Sequence, residues 1–238
     1  MKKFISLAII AGISLLISGA GLRAGASAYA QPQLLTGILN KMRKANQDLK
    51  SLKAEIVQEK TNSQIGVTDT TLGQLIYKPG AGKSKQKLRI DYTKPSHDVL
   101  SVDGDSYIYY QPRIKQAIKG LASKVSKGKQ DGLAQILAIV LSGSLESASG
   151  EYESNIVGDE MVNGIKTSLL RAIPKSNKQF TRIDIWISQQ TWIPVRFSAT
   201  ERNGDVTMFT FKDMQLNATL PNNAFNLDLP HGTEIVKN

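Results

Sequence analysis

Three strand-like runs follow one another between Leu72 and Tyr110, and no other stretch of the chain constrains its fold as strongly. In Lys87-Leu88-Arg89-Ile90-Asp91-Tyr92 polar and apolar residues alternate, which places Leu88, Ile90 and Tyr92 on one face of a strand and leaves Lys87, Arg89 and Asp91 to water. Gln74 to Lys78 repeats the pattern, with Leu75 and Tyr77 on one side and Ile76 as an apolar exception on the other. Pro79-Gly80 ends that strand, Pro95 turns the chain, and Asp103-Gly104 is a dipeptide suited to closing a tight hairpin. The pattern predicts an antiparallel meander with one apolar face.

The first 30 residues stand apart from this design. Lys2 and Lys3 form a basic start, Phe4 to Ile17 is apolar, and Ala28-Tyr29-Ala30 is a small-x-small cleavage site. These features predict a secretory signal peptide over 1–30, cleaved after Ala30, with 31–238 as one domain. The apolar run is shorter than the about 20 residues a membrane-spanning helix needs, which argues against an anchor. The chain's formal charge is +10, and the excess outside the leader is densest at Lys78 to Lys94 and Arg113 to Lys129. Such a surface suits anionic head groups or an acidic protein, and export makes nucleic acid an unexpected partner. The chain has no Cys, which excludes disulfides, thiolate metal sites and a lipidated N-terminal Cys.

After the leader, Leu35, Ile38, Met42, Ala45, Leu49 and Leu52 recur at three- and four-residue steps, predicting a helix that covers a sheet. From Leu52 the period becomes two, with Leu52, Ala54 and Ile56 on one face. Asn62 to Asp69 reads as a polar turn. Beyond Gln111-Pro112 a basic, Gly-dotted stretch to Gln130 reads as mobile, and Asp131 caps Gly132 to Leu141, a segment apolar nearly all round. It is read either as a core helix or as a hinged lid, since Gly128, Gly132, Gly143 and Gly150 flank it. The remainder is again β: Asn155 to Val157, Lys166 to Ala172 and Phe180 to Ile187 are expected strands. Thr181, Ile183, Ile185 and Ile187 form one face, and Ile193, Val195 and Phe197 the next. Asn203-Gly204 marks a hairpin, Thr207, Phe209 and Phe211 point inward after it, and a tail from Pro221 leads to a last short strand.

Catalytic constellations are poor. Gly82-Lys83-Ser84 resembles the end of a phosphate loop but lacks the upstream Gly, where Tyr77 stands, and a strand follows it instead of a helix. His97 and His231 have no partner at metal-ligand or triad spacing, and Asp98, Asp103 and Asp105 fit turn chemistry. No catalytic residue, metal site or cofactor is expected, and the chain is read as a binding protein and not an enzyme.

The ordered set Leu52-x-Ala54-x-Ile56-x-Gln58, Gly73-x-Leu75, Lys78-Pro79, Leu88 to Tyr92, Pro95, Leu100-x-Val102-Asp103-Gly104, Tyr109-Tyr110-x-Pro112, Ile173-Pro174-Lys175, Phe180, Phe209-x-Phe211, Asn217, Pro221, Phe225 and Pro230-x-Gly232 resembles the periplasmic outer-membrane lipoprotein carrier family. The resemblance covers nearly all of the chain after the leader. It implies a mainly β fold, an unclosed and strongly bent antiparallel barrel of about eleven strands, with an N-terminal helix and a short lid helix over an apolar cavity. Ile56, Leu75, Tyr77, Leu88, Ile90 and Tyr92 would line that cavity from one half of the sheet. Ile183, Ile185, Val195, Phe197, Phe209 and Phe211 would line it from the other. Leu133, Ile136, Leu137 and Val140 would face it from the lid. Lys78 occupies the place of a family Arg that ties the lid shut, and it lacks the guanidinium fork. The implied function is to carry acylated lipoproteins through the periplasm, as a monomer, from an inner-membrane ABC exporter to an outer-membrane receptor. A carrier of free lipid or glycolipid, or a lipoprotein-sensing regulatory module, could use the same fold.

Overall fold

The structure, a computed structural model, describes residues 30–80, 85–121, 137, 140, 141, 150–176 and 180–237. The expected signal peptide before Ala30, residues 81–84, Leu133 and Ile136 lie outside them. Helix α1 (Ala30–Asp48) comes first and buries Ile38, Leu39 and Met42 at the spacing its sequence shows. Five strands follow: β1 (Leu52–Thr61), β2 (Thr68–Lys78), β3 (Lys87–Lys94), β4 (Val99–Asp103) and β5 (Ser106–Gln111). A 3₁₀ turn, Pro112–Ile114, leads to β6 (Gln116–Leu121). The second half holds β7 (Tyr152–Val162), β8 (Ile165–Pro174), β9 (Phe180–Ser188), β10 (Pro194–Glu201), β11 (Val206–Leu216) and β12 (Glu234–Lys237). Among the described residues no helix is long and apolar enough to cross a membrane.

All twelve strands form one sheet, in the order β12-β6-β5-β4-β3-β2-β1-β11-β10-β9-β8-β7. Eleven strands pair antiparallel, and β12 adds to β6 in parallel. The order ends at β12 and β7, so the sheet is unclosed among the described residues. Laid flat, twelve strands would span about 50 Å. The sheet instead bends, because Val102 and Tyr107 near one end join Ile156 and Leu170 near the other in a single buried cluster around α1.

Two expectations need correction. In the basic stretch after Pro112, expected to be mobile, Gln116–Leu121 is instead β6, fixed by Tyr109 pairing with Ile118 and Tyr110 with Ala117, and residues 122–130 lie outside the described residues. Its sequence, Gln116-Ala117-Ile118-Lys119-Gly120-Leu121, puts adjacent apolar residues on opposite faces and shows no period-two alternation to announce a strand. The second correction concerns Val195. Between Pro194 and Arg196 the register with β9 slips, and the extra residue of that bulge turns to the opposite face from Phe197. Val195 therefore packs with Val162, Leu169 and Trp186 on the outer side.

Candidate functional site

The inner face is built by paired strands that contribute matching apolar residues. Ala54 lies opposite Leu75, which lies opposite Ile90; Leu52 lies opposite Tyr77, which lies opposite Leu88. Ile183 and Ile185 face Ala199 and Phe197, and Phe197 faces Phe209. Phe197 and Phe209 stack with ring centres 4.9 Å apart, and Phe211 lies 6.3 Å from Phe197. Gly73 leaves room where Ile56 and Tyr92 approach: a Cβ there would meet Asp91 O at 2.8 Å and the Tyr92 Cα at 3.2 Å. The structure thus brings together Ile56, Leu75, Tyr77, Leu88, Ile90, Ile183, Ile185, Phe197, Phe209 and Phe211, with Tyr92 packed at the margin. Val195 is not among them.

Three described residues of the Gly132 to Leu141 segment, Leu137, Val140 and Leu141, are helical and buried in this same cluster. Asn46 of α1 donates its side-chain amide to Leu141 O at 2.7 Å, tying that segment to the helix. Lys78 does not take part. It is exposed at the end of β2, one residue on from inward Tyr77, and its side chain makes no hydrogen bond or ion pair among the described residues. Its cross-strand neighbour is Lys87, which pairs with Asp103 at 2.7 Å.

Polar groups on the inner face are few and differ in their state. Tyr92 donates its hydroxyl to Gln58 Oε1 at 3.0 Å. Burial first, and the Asp98 carboxylate second, push its pKa upward. Tyr77 is fully buried, and among the described residues its hydroxyl meets no partner at hydrogen-bond geometry; the Asn46 amide beside it donates to Leu141 O. Burial pushes the Tyr77 pKa up to about 12, against a smaller lowering by the Asn46 side chain. The Thr207 hydroxyl, 1% exposed as a residue, likewise has no partner among the described residues. Sequence reading places Thr207 on the inward face but misses the outer cluster. Around that cluster Trp186 donates its indole N–H to Glu160 at 2.7 Å, and Arg171 pairs with buried Asp184 at 2.7 Å. His97 and His231 are exposed, and among the described residues no group of three His, Cys, Asp or Glu could hold a metal ion.

The class defined here is a half-open β-shell whose continuous inner face is apolar and nearly free of charge. The model of the outer membrane lipoprotein carrier protein LolA family matches residues 47–228, and the chain belongs to that family. An outer-membrane lipoprotein carrier protein of Cupriavidus pinatubonensis is 27% identical over 212 residues, covering 87% of this chain and 90% of its own. One from Cupriavidus necator is 28% identical over 195 residues, or 79% of this chain and 82% of that protein. Among solved structures, an uncharacterized conserved protein of Thermus thermophilus shares the fold with a TM-score of 0.56 at 11% identity, over 87% of this chain and all of its own (100%). The Pseudomonas aeruginosa MucA/MucB complex matches with a TM-score of 0.51 at 13% identity, over 81% of this chain and 60% of that one.

Proposed function

We propose that this protein is a periplasmic carrier that takes the acyl chains of lipoproteins onto its inner face and ferries them from the inner to the outer membrane. Its source would be an ABC lipoprotein exporter, its destination an outer-membrane receptor, and its working state a monomer without cofactor. The observation that carries the reading is the single apolar cluster shared by both halves of the sheet, α1 and the Leu137 to Leu141 region. Each acyl CH₂ left in water costs about 0.8 kcal/mol, so a multiply acylated cargo needs a shell of this kind to cross an aqueous gap. Leu137, Val140 and Leu141 pack on the inner face, and in this reading they give way when cargo enters.

Native mass spectrometry of the protein recovered from its own periplasm tests the proposal. An intact lipoprotein on the carrier is the expected result. A bare lipid or glycolipid would replace the proposal with carriage of free lipid. A form that binds a protein and no lipid would favour the regulatory reading, for which the fold shared with MucB is the motive.

A further inference from the structure

Two turns at one end of the sheet hold large apolar side chains in water. The register puts them at one end of the sheet: Thr61 faces Thr68 across the β1–β2 turn, Gln111 faces Gln116 across the β5–β6 turn, and Leu72 faces Lys94 between them. The β1–β2 turn reaches further along the strands, by an offset that a strand tilt of about 40° brings onto one rim. Ile65 is 71% exposed, Val67 50% and Ile114 55%. Both turns are internally bonded. Gly66, at φ 68°, donates to Asn62 O and Asn62 donates to Val67 O, each at 2.9 Å. Asn62 Oδ1 accepts the amides of Gln64 and Ile65, and Ser63 ties the turn to Asp205 and Asn203. Ile114 ends a 3₁₀ turn closed by the Lys115 amide on Pro112 O at 3.2 Å.

Cations surround these tips. Lys94, Arg113 and Lys115 are exposed and make no side-chain hydrogen bond or ion pair among the described residues. Of the acids near these turns, Asp98 accepts the Tyr109 hydroxyl at 2.6 Å, Asp205 holds Ser63 and Asn203, Glu201 is buried and Glu234 accepts from Gln116. Asp69 is exposed, so the cations outnumber the acids left open to a partner. The β1–β2 and β5–β6 turns are four strand spacings apart, about 19 Å along the sheet. A planar, fluid surface receives separated apolar tips, whereas a protein partner needs contiguous area. We propose that this rim rests on an anionic bilayer surface, with Ile65 and Ile114 entering the head-group boundary while Lys94, Arg113 and Lys115 meet lipid phosphates. The inference concerns the outside of the shell and does not depend on its cargo.

Co-sedimentation with phosphatidylglycerol–phosphatidylcholine vesicles tests it, using protein in the form its own cells accumulate, so that any leader contributes equally to every variant. The wild type should pellet with these vesicles at low salt and less with phosphatidylcholine alone. Each of Lys94→Gln, Arg113→Gln and Lys115→Asn should weaken partitioning about fivefold. Ile65→Ser with Ile114→Ser should weaken it about tenfold or more on either vesicle. Thermal midpoints of all variants should stay near the wild type, because the replaced side chains are exposed. Equal pelleting on neutral and anionic vesicles, unchanged partitioning of the variants, or wild type left in the supernatant would each overturn the proposal. The last result together with retention on an immobilised acidic protein would assign the rim to a protein partner.

Discussion

Tyr77→Phe asks whether the inner face is left incomplete until cargo arrives. The ring is fully buried and, among the described residues, its hydroxyl meets no partner at hydrogen-bond geometry, while the nearby Asn46 amide donates to Leu141 O. A buried hydroxyl without a partner costs about 1–3 kcal/mol, so removing the oxygen should leave the empty protein equally stable or more stable by up to about 3 kcal/mol. For a domain of this size that corresponds to a midpoint rise of about 2–4 °C per kcal/mol. The same residue shapes the alkaline limb. Its folded pKa is raised to about 12 from an ordinary 10.0, so the unfolded chain loses the proton first as pH rises. The contribution is whole below about pH 10 and disappears by about pH 12, a loss of about 3 kcal/mol that the Phe variant would not show. Some alkaline loss should persist in the variant, because Tyr92 is shifted the same way. With cargo bound the sign reverses: if an ester carbonyl accepts from Tyr77 Oη, the variant should release lipoprotein about fivefold to tenfold faster. Urea melts at about pH 7.5 and about pH 11, empty and loaded, measure each part. An empty variant weaker than wild type by more than about 1 kcal/mol would mean that the hydroxyl is satisfied, and the reasoning would fail.

Leu88→Glu puts a carboxylate on the inner face, at a cost of roughly 1–3 kcal/mol or more. A melt within a few degrees of wild type combined with lost lipoprotein uptake marks Leu88 as lining a ligand space, whereas a collapsed melt marks it as closed core. Val195→Ala should lower stability by about 1–2 kcal/mol through lost packing against Trp186 and Leu169 while leaving cargo transfer unchanged; altered transfer at equal stability would return Val195 to the inner site. Asn46→Ala removes the bond to Leu141, and should cost about 1 kcal/mol and speed cargo release in a transfer assay. Unchanged release would show that Leu141 is held by packing alone.

The strands with clean alternation were legible because each shows its two faces in its own residues. Leu88 and Ile90 are both buried, and Asp103-Gly104 turns β4 into β5 with Gly104 at φ 60°. The helix was legible for the same reason at a period of about 3.6. What escaped was whatever depends on a neighbour. β6 carries little pattern of its own and exists because Tyr107 to Tyr110 supplies an edge to bond to. Val195 follows the alternation of its strand until a bulge, set by pairing with β9, moves it to the other face. Lys78 was assigned by its place before Pro79, yet its direction follows from Tyr77 pointing inward.

The bulges link fold to site. A regular sheet with both faces apolar would commit its core to one side and leave the other open to aggregation. Here the slip at Val195, and a second on β11 where Asp213 takes φ 48° and the register jumps from Lys212 to Gln215, turn apolar residues outward over β8 and β9. There they are covered by Trp186, whose indole N–H is satisfied by Glu160, and by Arg196 at 5.8 Å over its ring. The outer packing stabilises the second half of the sheet from outside. In the proposed carrier that matters, since an inner face that must open to cargo cannot also be the only source of stability. Loss of the outer cluster should therefore lower the stability of the empty and the loaded protein alike, because Val162, Leu169, Trp186 and Val195 form a cluster separate from the inner face that meets cargo.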